Sequence, residues 1–493
     1  MRAFVKVLAF VVVVALLGLG GAWLYAGRAA GPALEIRQPG GFIGAKGSIE
    51  LMVEAPGGLL TAVEAAVEQN GARLPVFTLT GGAGDDARRE SADRLYIIRP
   101  LRKASLPQLT AGPARLVVRA ARPVLYGLRE AETTVVKDVQ VRLEPPRVSV
   151  VSTKHYINLG GSELVVYRAT PEDVESGVRV GDVVYRGYPA SGAGIPGDAS
   201  LRVAVYALLH DQDPKTPISV FAKDAAGNEV SAPLGDQVFP KTFRKSRIEV
   251  NDAFLARVVP AIVSNTPGLD LPVDPGSLVR SFVAINSTLR RQNAATIQAL
   301  AARSAPKMLW DGPFVQLGNS QVEAGFADHR TYAYAGKDID QQVHLGFDLA
   351  VTAAVPVASA QAGTVVLAEY LGIYGNCVIV DHGLGVQSLY AHLSTIDVKA
   401  GATVARGEIV GKSGMTGLAG GDHLHFTVLV GGHPVNPVDW WDFQWMRDRV
   451  MRKLGDAGAA VPAAMAAPPE RPRTGPPAGR RQGRTGRGAR RGR

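Results

Sequence analysis

The chain has 493 residues, 46% hydrophobic and 20% charged, which is enough for about three domains and too apolar for disorder throughout. Its single cysteine, Cys377, excludes an intrachain disulfide and a cysteine-built zinc knuckle. Of the formal charge of +10, the segment Glu470–Arg493 carries +8 through nine Arg and one Glu, so the basic balance does not describe a nucleic-acid-binding face on a folded domain.

Residues 1–6 carry Arg2 and Lys6, and the run from Val7 to Gly27 then has no charged residue. About 20 apolar residues at 1.5 Å each cross a hydrocarbon core of about 30 Å. Basic residues ahead of the run place 1–6 in the cytoplasm. Segment 7–27 therefore reads as a transmembrane signal-anchor helix, with the bulk of the chain periplasmic and the protein single-pass in an inner membrane. Small residues at Ala26, Ala29 and Ala30 leave a cleaved signal peptide as the second reading.

Residues 33–144 and 145–245 read as two β-sandwich modules, divided at Pro145-Pro146. Alternating runs such as Val139-Gln140-Val141-Arg142-Leu143 and Leu201-Arg202-Val203-Ala204-Val205 are separated by Gly- and Pro-rich turns. The segment Asp224-Ala225-Ala226-Gly227-Asn228 resembles the closing hairpin of bacterial immunoglobulin-like domains. His155 and His210 stand alone here, and the modules carry no catalytic constellation. They are candidate docking surfaces for envelope protein partners.

The period changes over 250–305, a helical linker. Asp274 predicts an N-cap with Pro275 at the first helical position. Leu278, Phe282, Ile285, Leu289, Ile297 and Leu300 then mark one face of a helix, in steps that are mostly three or four. Residues 307–450 are rich in glycine and short strands. An even spread would place about three of the nine histidines after residue 320, whereas seven lie there. Residues 455–493 turn Ala/Pro-rich and then Arg/Gly/Pro-rich, which predicts a disordered tail.

Three short elements concentrate the chemistry. In His344-Leu345-Gly346-Phe347-Asp348, an even spacing puts imidazole and carboxylate on one face of a strand. His423-Leu424-His425 does the same for two imidazoles. Tyr390-Ala391-His392-Leu393-Ser394 supplies a further histidine. Two His and one Asp form the donor set of a catalytic zinc site that keeps a fourth position open; iron held by two His and a carboxylate is the chemical rival, although its HxD/E…H order and spacing differ from this segment. His382, His329 and His433 read as structural or surface residues, and Cys377 as a buried, inert thiol.

The order HxxxD, then a lone His in a YAHLS context, then HxH resembles the M23 zinc metallopeptidases, the lysostaphin/LytM group. Asp381-His382-Gly383, Val404-Ala405-Arg406-Gly407-Glu408-Ile409-Val410-Gly411 and Pro434-Val435-Asn436-Pro437 extend the match to about 130 residues. The resemblance implies a mainly β chain whose C-terminal domain is the antiparallel β M23 fold (a duplicated hybrid motif). It implies one Zn2+ held by His344, Asp348 and His425, with His392 and His423 as catalytic histidines. His392 is assigned as general base and His423 as transition-state stabiliser, with the two roles exchangeable. Arg330 and Tyr332, upstream of the ligand strand, are candidate substrate contacts. The implied function is hydrolysis of peptide crosslinks or stems of peptidoglycan in cell-wall remodelling. A non-catalytic regulator that activates a wall amidase, and a wall-binding protein in which zinc is structural, are the alternatives. No nucleic-acid partner is expected.

Overall fold

The computed structural model describes residues 2–56, 59–80 and 87–465. It opens on the helix Arg2–Ala26. Within it Phe4–Ala26 has a mean hydropathy of 2.6, and its apolar window is covered by no other part of the protein. A helix apolar on all sides is stable only where hydrocarbon or a core surrounds it, and this one is long enough to cross a membrane.

Residues 33–141 build two facing sheets. One orders Ala33–Gln38, Ser48–Glu54, Arg94–Pro100 and Ala87–Arg89. The other orders Phe42–Ile43, Arg129–Val141, Gly112–Val124, Ala62–Gln69 and Ala72–Thr80. Strand side chains alternate between faces, so Ile49, Leu51 and Val53 meet Val63, Ala65, Val67, Leu116 and Val118 in one shared core.

Two further four-stranded sheets follow. Arg147–Val150, Ser162–Thr170, Leu201–Ala207 and Tyr188–Pro189 form the first. Val183–Arg186, Glu175–Val180, Ile218–Lys223 and Glu229–Pro233 form the second. The turn at Asp224 is clamped by its own carboxylate, which accepts from the backbone N–H groups of Ala226 and Asn228. Asn228 in turn donates to Arg142 O and accepts from the Ala45 N–H, which ties this turn to the preceding sheets.

The helix expected from Asp274 begins later, at Leu278, because Asp274–Ser277 closes as a turn with Ser277 N donating to Asp274 O at 2.9 Å. It runs through Leu278–Ala284, widens into a π turn at Ile285–Leu289, and continues as Arg290–Ala301. A separate helix, Asp252–Asn265, precedes it, capped by Asn251, whose side chain accepts from Phe254 N.

The C-terminal sheet has eight strands. Its order is Gln321–Ala324, Phe347–Ala350, Leu424–Val430, Val386–Leu393, Asn376–Gly383, Gly363–Tyr370 and Thr403–Val404, with His433–Val435 paired to Leu424–Val430. All these pairings are antiparallel. Every residue of Val386–Leu393 and Leu424–Val430 is buried, so both faces are covered. Ile297 of the Arg290–Ala301 helix packs on Ile379, Leu389, Ala391 and Leu429 on one face. The other face, through Val378, Val380, Phe426 and Val428, joins a core that reaches back to Val165, Tyr167 and Val203.

That core also corrects the expected start of the tail. Residues 455–465 are not free: Met465 is 4% exposed and packs with Leu454 in the same core. Apolar contacts in an Ala/Pro-rich stretch were enough to order it. The rest of the predicted tail, 466–493, lies outside the described residues.

Candidate metal centre

Asp348 and His425 sit opposite each other on paired antiparallel strands, and Ala391 is the residue opposite His425 on the other side. His344 ends the strand Lys337–His344. Gly346 lies between His344 and Asp348, and a Cβ there would stand 2.6 Å from His425 Nε2 and 2.5 Å from Thr427 Oγ1. Glycine at this position is what lets the His425 ring pass.

His344 Nε2, Asp348 Oδ1 and His425 Nδ1 form a nearly equilateral triangle. Its sides are 2.9 Å from His344 to Asp348, 2.9 Å from His425 to Asp348, and 3.0 Å between the two imidazoles. The surroundings fix both tautomers. His344 Nδ1–H donates to Gly325 O at 3.0 Å. The Thr427 hydroxyl donates to Leu345 O at 2.9 Å, so it accepts from His425 Nε2–H at 3.1 Å. Each ring therefore turns a lone pair inward, toward a carboxylate oxygen. Three converging lone-pair atoms repel unless a cation lies among them. Tetrahedral zinc, with bonds of about 2.0–2.1 Å, sets ligand atoms roughly 3.3 Å apart, so the donor set fits zinc with a small outward movement. These three residues are the His/Asp group within the described chain that can hold a metal.

His392 and His423 border the same cavity, of about 880 Å³. His392 Nδ1–H donates to Thr416 O at 2.8 Å and His423 Nδ1–H to Gly421 O at 2.9 Å, which leaves both Nε2 atoms facing inward. Their ring centroids are 4.9 Å apart, and His392 lies 5.7 Å from His425. His392 has φ 61°, a left-handed conformation that strains a residue with a Cβ. Such strain collects at functional sites.

Electrostatics follow from burial and from one carboxylate. Burial would raise the Asp348 pKa, but positive charge on His344 and hydrogen bonds from His344, His423 and His425 outweigh it and hold it well below the usual range when protons rather than a metal occupy the centre. Burial pushes His425 down to about 4 and His392 well below its ordinary value. For His423 burial is outweighed by Asp348, whose Oδ1 is 3.4 Å from Nε2, and its pKa rises.

Arg330 and Tyr332 share the strand Asp328–Tyr334 and line the cavity. Arg330 is committed to two carboxylates. It donates to Asp348 Oδ2 at 3.1 Å and to Asp328 Oδ2 at 3.4 Å, so it holds the second oxygen of the candidate ligand. Tyr332 is mostly buried, with its ring 5.6 Å from Phe282. His382 is fully buried between Ala362 O and Ser388 Oγ. His433 is half-buried against Tyr185, and His329 is exposed beside His210 and Phe243. Cys377 is fully buried.

Sequence reasoning did not find the carbonyls of Gly325, Thr416 and Gly421, nor the wall that Arg257 and Arg290 contribute. Thr427 carried a signal, since it stands two residues from His425 on the same strand face. The carbonyls come from remote loops and carried none.

Residues 342–437 match the profile of peptidase family M23. The chain is 40% identical over 97 residues to DD-carboxypeptidase/endopeptidase Mpg of Neisseria meningitidis serogroup B, covering 20% of this chain and 22% of that protein. It is 42% identical over 95 residues to peptidoglycan DD-endopeptidase ShyA of Vibrio cholerae, covering 19% and 22%. The catalytic domain of lysostaphin from Staphylococcus simulans is 27% identical, covering 25% of this chain and 92% of that one with a TM-score of 0.22. The match thus spans about a fifth of the length of these curated relatives, and the residues matched by the family profile include His344, Asp348, His392, His423 and His425.

Proposed function

We propose that this chain is a zinc-dependent endopeptidase that hydrolyses peptide crosslinks or stems of peptidoglycan, anchored in the inner membrane by its N-terminal helix with the bulk periplasmic. The observation that carries the reading is the triangle of three inward lone pairs, with two further imidazoles turned toward the same cavity. When bound, zinc polarises a peptide carbonyl and lowers the pKa of a water from about 15.7 toward 7. His344, Asp348 and His425 hold it, and Arg330 keeps Asp348 from rotating. His392 offers an unprotonated Nε2, which takes the proton of the attacking water. His423 stands across from it and hydrogen-bonds the oxygen on which charge develops.

The relatives' names support the substrate class, and the complete set of five residues supports catalysis over a purely regulatory role. We read 33–144 and 145–245 as immunoglobulin-like sandwich modules that present the domain 307–450 to the wall and offer surfaces to envelope partners. Their alternating strands around shared cores support this.

The test is digestion of purified sacculi followed by mass spectrometry of the released muropeptides. New peptide ends should appear with the wild type and vanish with a chelator. His392→Ala should lower the rate by about 10²–10⁴-fold while retaining zinc. No release by a protein carrying about one zinc per chain would sink the endopeptidase reading.

A further inference from the structure

The cavity beside the candidate metal ligands is lined by three guanidinium groups, Arg257, Arg290 and Arg330. Arg330 is bound to Asp348 and Asp328. The other two stand on the helical side and meet no carboxylate among the described residues. Arg257 donates one N–H to Ala419 O at 2.7 Å. Arg290 donates Nε–H to Asn286 O at 3.0 Å and an Nη2–H to Asn286 Oδ1 at 2.5 Å. A guanidinium has five donors, so most of those on Arg257 remain uncommitted, and three on Arg290.

Both side chains are half-buried. A cation withdrawn from water without a counter-charge is costly, so an anion brought by a ligand would relieve it. Arg290 is also set in place by a chain of buried contacts. Asn286 is 0% exposed, donates to Asp340 Oδ2 at 2.8 Å, and orients the guanidinium from inside the π turn Ile285–Leu289. π turns recur at functional sites because they re-aim side chains. Besides Asp348, two acids border the same cavity. Glu249 is paired with Arg247 at 3.4 Å, and Glu323 stands on the strand next to Asp348. Arg257 and Arg290 are therefore the guanidinium side chains of this cavity that pair with no carboxylate among the described residues.

We infer that Arg257 and Arg290 form a carboxylate-binding subsite, which reads a free carboxylate of the peptide substrate on the helical side of the groove. This rests on the peptidase reading for the identity of the ligand. A planar guanidinium already fixed at two donors suits a carboxylate better than a neutral amide.

The experiment is isothermal titration of the full chain in detergent with a synthetic stem tetrapeptide and with the same peptide carrying amides in place of its carboxylates. Each is run with zinc and with chelator, so that a carboxylate held by the metal is told apart. The wild type should bind the free-carboxylate form about tenfold more tightly or better in both conditions, the worth of one charge-assisted hydrogen bond. Arg290→Met and Arg257→Met should each bring that ratio toward one, with zinc content and melting temperature reported beside it. Equal binding of the two peptides by the wild type overturns the subsite, and so does an unchanged ratio in folded variants. The wild-type comparison stands even if a variant fails to fold. Should sacculi stay uncut while the preference holds, the catalytic reading falls and the subsite survives. Cut sacculi without a preference remove the subsite alone.

Discussion

Thr427 sets which nitrogen of His425 is free to bind a cation. Its hydroxyl hydrogen is directed to Leu345 O, so its oxygen accepts from His425 Nε2. Partners of this kind fix ring orientation, and their loss costs about 10–100-fold in metal affinity. Thr427→Val should therefore weaken zinc binding by that factor while the sheet stays intact. Chelator competition with a zinc indicator measures it, and an affinity within twofold of the wild type would refute the tautomer argument. Asp348 meets the same logic from the other side, with Arg330 holding the oxygen that His344 and His425 leave free. Spacing singled out His344, Asp348, His423 and His425, and the family resemblance added His392 and the role of each; His344 and Asp348 stand on two strands, Lys337–His344 and Phe347–Ala350, joined through Leu345-Gly346, and not on the single strand that the spacing suggested. The resemblance offered Arg330 as a substrate contact, and its bond to Asp348 is invisible without the strand register.

At the scale of elements, the helix Arg290–Ala301 decides how the sheet is buried. Sheet strands with no solvent face need cover on both sides, and Ile297 supplies part of it against Leu389, Ala391 and Leu429. Ile297→Ala should destabilise the fold by about 2–4 kcal/mol, the sum of lost transfer energy and a residual cavity. Urea denaturation followed by tryptophan fluorescence reads this, and a loss under about 1 kcal/mol would mean that the helix is only loosely applied. Periodicity disclosed the helix. It did not disclose the π turn, since widening by one residue at Ile285–Leu289 changes which side chains face the groove without disturbing the apolar pattern.

Across the whole molecule, the C-terminal helices are bound to sheets that precede them by nearly 300 residues. Lys453 Nζ meets Glu163 Oε1 at 2.9 Å with both groups buried, and Trp440 Nε1 donates to Ser162 Oγ at 3.0 Å. Burial raises the pKa of Glu163 and lowers that of Lys453, while the pairing resists both shifts. Breaking one half of a buried pair leaves an uncompensated charge. Lys453→Met should cost about 3–5 kcal/mol, and Glu163→Gln added to it should restore most of that. Melting curves of the two single variants and the double variant form the cycle. A double variant as unstable as the worse single one would show that the pair itself is not the source.

What the sequence determined by itself is local. Charge-free length marked the membrane-compatible helix, alternation marked the strands, and even spacing marked His344 with Asp348 and His423 with His425. Strand alternation and helix periodicity run along one element, whereas His344 and Asp348 meet because the chain turns at Leu345-Gly346 between the strands Lys337–His344 and Phe347–Ala350. Tertiary structure decided what comes from distant segments. The carbonyls that lock the tautomers, the guanidiniums of the helical wall, and the common core joining residues 157–234 to 310–465 are brought together by register and packing. Such contacts leave no periodic trace in the chain, because closing a long loop imposes no pattern on the residues within it.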